Sequence, residues 1–167
     1  NRKPLIIRGA RQVGKTHLVR EFASKSFEHF IEINFDENPN KSTLFESDDL
    51  NQVLQFLTVD TGIPIVPGKT LIFLDEIQLA PKVIAKLRYF FEKKKEIHII
   101  AAGSLLDFVL GEFEYSMPVG RIEYLYMGPM DFMEFLRAHQ QLNLAQFIED
   151  YSLNILIPES IHNQLAN

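Results

Sequence analysis

The chain has 167 residues, a formal net charge of -5 at pH 7 and no cysteine. Its length suits one domain with its own core, and a composition of 46% hydrophobic and 23% charged residues excludes an intrinsically disordered or fibrous protein. The lack of cysteine excludes a disulfide scaffold and a thiolate zinc site, and the acidic balance argues against a protein whose main task is to wrap nucleic acid.

Five short apolar segments along the chain alternate with segments of helical periodicity. The predicted strands are 4–7, 29–35, 70–74, 97–102 and 122–127. The predicted helices are 15–22, 42–57, one that starts at Pro81, 104–110 and 130–138, with an exposed loop at 111–119 and further helical periodicity from 147 onward. Because short apolar strands that alternate with helices form a mostly parallel sheet, we expect an α/β fold, in which ligands bind at the carboxyl ends of the strands.

A glycine-rich segment follows the first predicted strand. Residues 9–16 read Gly-Ala-Arg-Gln-Val-Gly-Lys-Thr and match the phosphate-loop pattern GxxxxGK[ST] between a strand and a helix. Its glycines let backbone N–H groups turn toward phosphates, while Lys15 would reach the β and γ phosphates and Thr16 would offer a hydroxyl to Mg²⁺. The nucleotide is therefore predicted to contact Gly9, Ala10, Arg11, Gln12, Val13, Gly14, Lys15, Thr16 and His17.

Two carboxylates end the third predicted strand. Asp75 and Glu76 follow the apolar run 71–74, as in a Walker B motif, where the first acid holds Mg²⁺ and the second polarises the attacking water. We predict Asp75 as a metal-site residue beside Thr16, and Glu76 as the general base. Guanine specificity is not expected, because the one Asn-Lys pair, at 40–41, lacks the aspartate of an NKxD motif.

Two more polar residues flank the fourth and fifth predicted strands, and each has two interpretations. Ser104 ends the fourth strand, where additional-strand ATPases place a sensor of the γ phosphate or the attacking water, and it could equally cap the next helix. Arg121 precedes the fifth strand, where AAA+ proteins often place an arginine that stabilises transition-state charge, commonly in a neighbour's site. The alternative for Arg121 is a surface arginine paired with a nearby acid.

Charge is unevenly distributed along the chain. The helix that starts at Pro81 and the residues just after it carry a basic run, which is usually a solvated face and is alternatively a contact to nucleic acid. From 122 to 167 a single basic residue, Arg137, stands against six acidic ones, so this part should have an acidic surface. The basic run consists of Lys82, Lys86, Arg88, Lys93, Lys94 and Lys95.

Four segments, taken together and in this order, resemble one known family. They are 9–16, Leu-Asp-Glu-Ile-Gln at 74–78, Ala-Gly-Ser at 102–104 and Val-Gly-Arg-Ile-Glu-Tyr-Leu-Tyr-Met-Gly-Pro-Met-Asp-Phe-Met-Glu-Phe at 119–135. They are similar to the bacterial and archaeal AAA+-type ATPases that carry a carboxy-terminal domain of unknown function. The resemblance implies ATP as nucleotide and Mg²⁺ as metal, with family roles for Lys15, Thr16, Asp75 and Glu76, and less directly for Ser104 and Arg121.

We therefore expect a three-layer P-loop NTPase fold of the additional-strand, AAA+-like type, with a parallel sheet ordered 5-1-4-3-2. Residues 1–140 should form the ATPase core, and 141–167 should begin a truncated helical lid or a linker to a missing carboxy-terminal domain. The expected function is ATP hydrolysis that drives a change in an attached domain or partner, in the cytoplasm and with no membrane span, since no apolar run approaches 18 residues. The alternatives are a nucleotide-gated interaction switch with little hydrolysis and a DNA-associated module, and a homo-oligomer is compatible with each.

Overall fold

The computed structural model describes residues 2–104, 120–152 and 156–166. Its strands are β1 Leu5–Arg8, β2 His29–Asn34, β3 Thr70–Asp75, β4 His98–Gly103 and β5 Glu123–Tyr126. Its α-helices are α1 Lys15–Ser26, α2 Leu50–Thr61, α3 Pro81–Lys93, α4 Phe132–Ala138, α5 Leu142–Glu149 and α6 Glu159–Ala166. Beyond Ser104, the helix predicted at 104–110 and the loop predicted at 111–119 lie outside the described residues.

The five strands form one sheet in the order β2-β3-β4-β1-β5, and every neighbouring pair is parallel. The predicted order 5-1-4-3-2 is the same order counted from the other edge, so the fold prediction is confirmed. Since β4 lies between β1 and β3, the carboxyl ends of these three strands lie side by side. The phosphate-loop segment directly follows β1, the acid pair starts with the last residue of β3, and Ser104 directly follows β4.

Helices cover both faces of the sheet because the strand side chains alternate between two apolar clusters. On one face, α1 packs Val19 and Ala23 against Ile7 and Phe73 of the sheet. On the other face, α2 and α3 pack against strand residues that include Ile31, Ile72 and Leu74. All six residues of β3 are buried, as expected for a central strand of a parallel sheet. The acid at its end is therefore held on a rigid support.

The segment from 39 to 61 differs from its prediction. One helix over 42–57 was expected, whereas the structure has a 3₁₀ helix at Pro39–Phe45 and then α2, which starts at Leu50. Asp49 separates them because its side chain accepts the N–H of Asn51 at 2.9 Å and caps α2. The apolar periodicity continues through both helices, so it does not show the break.

The chain divides into two compact units, Asn1–Pro129 and Met130–Asn167. The first holds the sheet with α1, α2 and α3, and the second holds α4, α5 and α6 around a small cluster of Leu136, Leu144 and Ala145. The boundary between the two compact units thus lies before residue 140, where the sequence analysis placed the end of the ATPase core. The role expected for 141–167 stays a prediction. Of the helices in the described ranges, none combines the length and apolarity needed to cross a bilayer.

Candidate functional site

The loop between β1 and α1 has a backbone suited to an anion. Gly9 and Gly14 have φ angles of 152° and 95°, and Gln12 also has a positive φ, of 63°. Among the described residues, no side chain caps the start of α1, and its first turn contains no acid. The backbone N–H groups and the dipole at this helix end therefore favour negative charge.

The nine residues predicted to contact a nucleotide differ in exposure. Lys15 is buried. The half-buried members are Gly9, Val13 and Thr16, and the exposed members are Ala10, Arg11, Gln12, Gly14 and His17. Most residues of the loop are thus exposed, while its lysine is turned inward.

At Gly9 the loop lies against the residue that follows β5. The N–H of Met127 donates to the carbonyl of Arg8 at 2.7 Å, which extends the pairing of β5 with β1. A Cβ atom on Gly9 would lie 2.0 Å from the carbonyl oxygen of Met127, a distance that no side chain can adopt. Glycine is therefore required here both by its positive φ and by the neighbouring backbone.

Replacing Gly9 by alanine should cost more stability than the same change at another glycine of positive φ. Gly68 is the matched control, since its φ is 77° and nothing lies within 4 Å of an added Cβ. We expect a loss of about 1–2 kcal/mol for Gly68→Ala from backbone strain alone, and about 3 kcal/mol or more for Gly9→Ala. Urea unfolding of the two variants measures the difference, and equal losses would contradict the close packing of the loop against β5.

The charged group of Lys15 is held by the loop itself. The residue is only 6% exposed, and its Nζ donates to the carbonyl oxygens of Gly9 at 3.1 Å and Ala10 at 2.6 Å. These contacts orient the ammonium group along the loop backbone. A fixed cation beside the backbone N–H groups of the loop is suited to bind a phosphate.

One hydrogen bond joins the loop to the acidic end of β3. The hydroxyl of Thr16, in the first turn of α1, donates to Oδ2 of Asp75 at 2.8 Å. Asp75 is the last residue of β3 and is 4% exposed. The two residues predicted as the metal site are thus in contact, although they are far apart in the sequence.

The environment of Asp75 favours a cation. Burial raises the pKa of Asp75 above its ordinary value, and the nearby carboxylates of Glu76 and Glu32 act in the same direction. Hydrogen bonds from the Thr16 hydroxyl and from the N–H of Glu76 oppose this shift. Because a buried carboxylate is stabilised by a nearby positive charge, and Mg²⁺ prefers oxygen ligands, the donor set fits that ion.

The remaining predicted residues lie in different places. Glu76 is half-buried directly beside Asp75. Ser104 is 4% exposed and follows Gly103, which pairs with Arg8, so it lies at the same edge of the sheet as the loop. Its role as a sensor, as a cap or as both stays a prediction.

Arg121 is not brought to this edge. It precedes β5 and therefore lies at the amino ends of the parallel strands, separated from the carboxyl ends by the length of the four-residue β5, about 13 Å. Its Nε donates to Oε1 of Glu92, on α3, at 3.1 Å. The position does not support action of Arg121 on a ligand bound by its own chain.

Part of the basic run on α3 is used within the protein. The Nζ of Lys86 lies 3.3 Å from a carboxylate oxygen of Asp48, and that of Lys94 donates to the side chain of Asn51 at 2.6 Å. Both contacts tie α3 to the segment around the start of α2. Fewer cations therefore remain for a nucleic-acid backbone than the sequence indicates.

Three groups near the site were not identified from the sequence. Met127 supplies the carbonyl behind Gly9, and Gln78 donates to the side chain of Glu76. Arg20 binds both carboxylate oxygens of Glu32, the acid that acts on Asp75. Gln78 and Met127 lie within the segments 74–78 and 119–135 that carry the family resemblance, and Arg20 lies four residues after Thr16 on the same face of α1, but no sequence pattern gave any of them a role.

The comparisons with known proteins identify a family and a similar fold. The model of a family described as AAA domain matches residues 1–136. Among solved structures, the Walker-type ATPase Paby2304 of Pyrococcus abyssi is similar with a TM-score of 0.56 and 20% sequence identity, over 98% of this chain and 58% of that one. This chain thus spans little more than half the length of that protein. A search of curated proteins by sequence returned no match.

Proposed function

The chain belongs to the AAA domain family and forms the core of a nucleotide-binding ATPase, and from this premise we propose that it binds ATP with Mg²⁺ and hydrolyses the γ phosphate. The contact between Thr16 and Asp75 carries the proposal, because it joins the phosphate loop to the acidic strand end in one site. The proposal extends to an attached domain or partner, whose state would follow that of the nucleotide.

The residues present fit both ATP and Mg²⁺. The loop backbone at Gly9 leaves no room for a side chain, and the buried ammonium group of Lys15 is fixed beside it. Thr16 and Asp75 offer a hydroxyl and a carboxylate, the ligand types that Mg²⁺ uses together with phosphate oxygens. When bound, Mg²⁺ would neutralise the charge that develops on those oxygens during transfer.

Each residue then has one task in hydrolysis. The loop amides and Lys15 would hold the β and γ phosphates, and Thr16 and Asp75 would hold the metal through its ligands or bound water. Glu76 would accept a proton from the attacking water, and Ser104 would contact either the γ phosphate or that water. A chain that only binds a nucleotide has no need of the base, so Glu76 favours hydrolysis over the alternative of a pure interaction switch.

Calorimetric titration of the full chain tests the binding step of the proposal. We expect one ATP·Mg²⁺ bound per chain, with weaker binding in EDTA because Asp75 acts through the metal. GTP should bind no more tightly than ATP, since the sequence has no NKxD motif. The absence of any heat of binding with ATP·Mg²⁺ would contradict the proposed site.

Replacing Asp75 by asparagine should raise stability and abolish Mg²⁺-dependent hydrolysis. The raised pKa means that the ionised carboxylate destabilises the folded state at neutral pH, and this cost disappears as pH falls through that pKa. Asparagine has one acceptor oxygen and can keep the hydrogen bond from the Thr16 hydroxyl or that from the N–H of Glu76, but not both, so we expect only part of the charge cost to be recovered as a modest rise of the unfolding midpoint.

Thermal unfolding over a pH series measures this effect. The gap between Asp75→Asn and the parent should be largest at neutral pH and narrow in acid. Asp60→Asn is the control, since Asp60 is a partly exposed partner of Lys41 and such ion pairs contribute about 0–1 kcal/mol. A lower midpoint for Asp75→Asn than for this control would show that Asp75 is structural.

In the proposed function, Arg121 could act only on a nucleotide that is bound by a second copy of the chain. We expect turnover per chain to rise with protein concentration in the parent and to rise much less in Arg121→Ala. The matched control is Arg137→Ala, which removes an arginine of nearly equal exposure, 49% against 48%, from an ion pair with Glu149. Equal turnover in the two variants at every concentration would return Arg121 to a surface role.

A further inference from the structure

The backbone of Glu76 adopts a conformation that non-glycine residues rarely use. Its φ and ψ are 50° and 44°, in the left-handed region. This conformation starts a short 3₁₀ turn, in which the N–H of Leu79 donates to the carbonyl of Glu76 at 3.0 Å. A strained residue beside Asp75 indicates that the turn has a purpose beyond connecting β3 to α3.

The turn is anchored in the core of the sheet. Ile77 is 0% exposed and Ala80 is 4% exposed, and both belong to the cluster under α2 and α3. The N–H of Ala80 donates to the carbonyl of Ile77 at 2.9 Å, which closes the turn. Because its neighbours are fixed, the side chain of Gln78 is held on the same side as that of Glu76.

The side chains of Gln78 and Glu76 are in direct contact. Nε2 of Gln78 donates to Oε2 of Glu76. The other end of the amide, Oε1, is buried and has no hydrogen-bond partner within the described ranges. The reversed amide would place this oxygen against the carboxylate and lose the donor, so the contact with Glu76 sets the orientation of Gln78.

We propose that Gln78 is a positioning residue for hydrolysis, which acts through Glu76. Its amide holds Oε2 of the glutamate and leaves Oε1 as the oxygen that accepts a proton from the attacking water. This inference rests on the proposed function, in which Glu76 is the base. Gln78 itself transfers no proton and has no part in holding the phosphates.

Loss of the amide should therefore lower kcat and leave KM unchanged. Methionine matches the length of glutamine but cannot donate a hydrogen bond. In the full chain, Gln78→Met should lower kcat for ATP about tenfold, the effect of one charge-assisted hydrogen bond, with KM within about twofold of the parent. In the Glu76→Gln background the same change should have no further effect on kcat, because the base is already lost.

A second variant keeps the test independent of folding defects. Gln78→Glu preserves size and shape but places a carboxylate against that of Glu76 at neutral pH. A carboxylate accepts hydrogen bonds but donates none, so it cannot hold Oε2 of Glu76 as the amide does. In a folded variant, kcat should therefore fall at least as far as in Gln78→Met with KM unchanged, whereas a residue that only fills space would keep the parent's kcat.

Several outcomes separate this inference from the proposed function. If Glu76→Gln hydrolyses ATP as fast as the parent, the base assignment fails and Gln78 fails with it. If Glu76→Gln is slow but Gln78→Met keeps the parent's kcat, or lowers kcat equally in both backgrounds, only the role of Gln78 is overturned. A raised KM with unchanged kcat would likewise overturn it, by making Gln78 a residue of the nucleotide pocket.

Discussion

Replacing Glu76 by glutamine should leave ATP·Mg²⁺ bound and lower its hydrolysis by about 10²–10⁴-fold, the usual effect of losing a general base. Glutamine preserves the size of the side chain and cannot accept a proton from water at neutral pH. The left-handed backbone at this position already tolerates a side chain of this length. This variant should therefore keep its affinity for ATP·Mg²⁺ and lose most of its turnover.

Phosphate release and calorimetric titration of the same protein measure the two quantities. Glu37→Gln is the control, since Glu37 is an exposed acid just after β2 and lies near the site without a proposed role. We expect the control to turn over ATP at the parent's rate. A Glu76→Gln variant that is as fast as this control would make Glu76 a residue of the turn only.

Replacing Lys15 by alanine should weaken the binding of ATP·Mg²⁺ by about 10–100-fold, since hydrogen bonds between charged groups contribute about 1.5–3 kcal/mol. The apolar core is not touched by this change. The two carbonyl oxygens that Lys15 binds belong to a half-buried and an exposed residue, so water can replace the ammonium group there. Folding should therefore be retained.

The matched control for Lys15→Ala is Lys25→Ala. Lys25 lies at the other end of α1, where it forms an exposed ion pair with Glu21. We expect Lys25→Ala to bind ATP·Mg²⁺ like the parent, while Lys15→Ala loses affinity and keeps its circular dichroism spectrum. Equal affinity of the two variants would contradict the phosphate-loop assignment.

Much of the fold could be predicted because buried parallel strands leave a simple pattern. The apolar run 71–74 in β3 and the short run of β1 identify central strands, and the resemblance to AAA+-type ATPases implied the order of the strands. The break before α2 could not be predicted from periodicity, since the apolar spacing continues from Phe45 to Leu50 across Asp49. A capping residue outweighed the periodic pattern there.

The candidate site was predictable where its chemistry depends on residues adjacent in sequence. The loop 9–16 and the acid pair 75–76 are each contiguous in the sequence and can be recognised there. The structure brings Thr16 of the loop into contact with Asp75 of the pair. The contact of Gln78 with Glu76 depends on a left-handed backbone, which no local pattern of side chains indicates. The separation of Arg121 from the site depends on strand direction and becomes visible only in the sheet.

Phosphate release from ATP by the full chain, with Mg²⁺ and with EDTA, in the parent and in Lys15→Ala, tests the central claim most directly. If one site binds ATP through its phosphate loop and hydrolyses it with the metal held at Asp75, release should require Mg²⁺ and should be nearly absent in Lys15→Ala. Release of equal rate in the two proteins, or in EDTA, would contradict the account, as would a parent chain that binds ATP·Mg²⁺ and releases no phosphate.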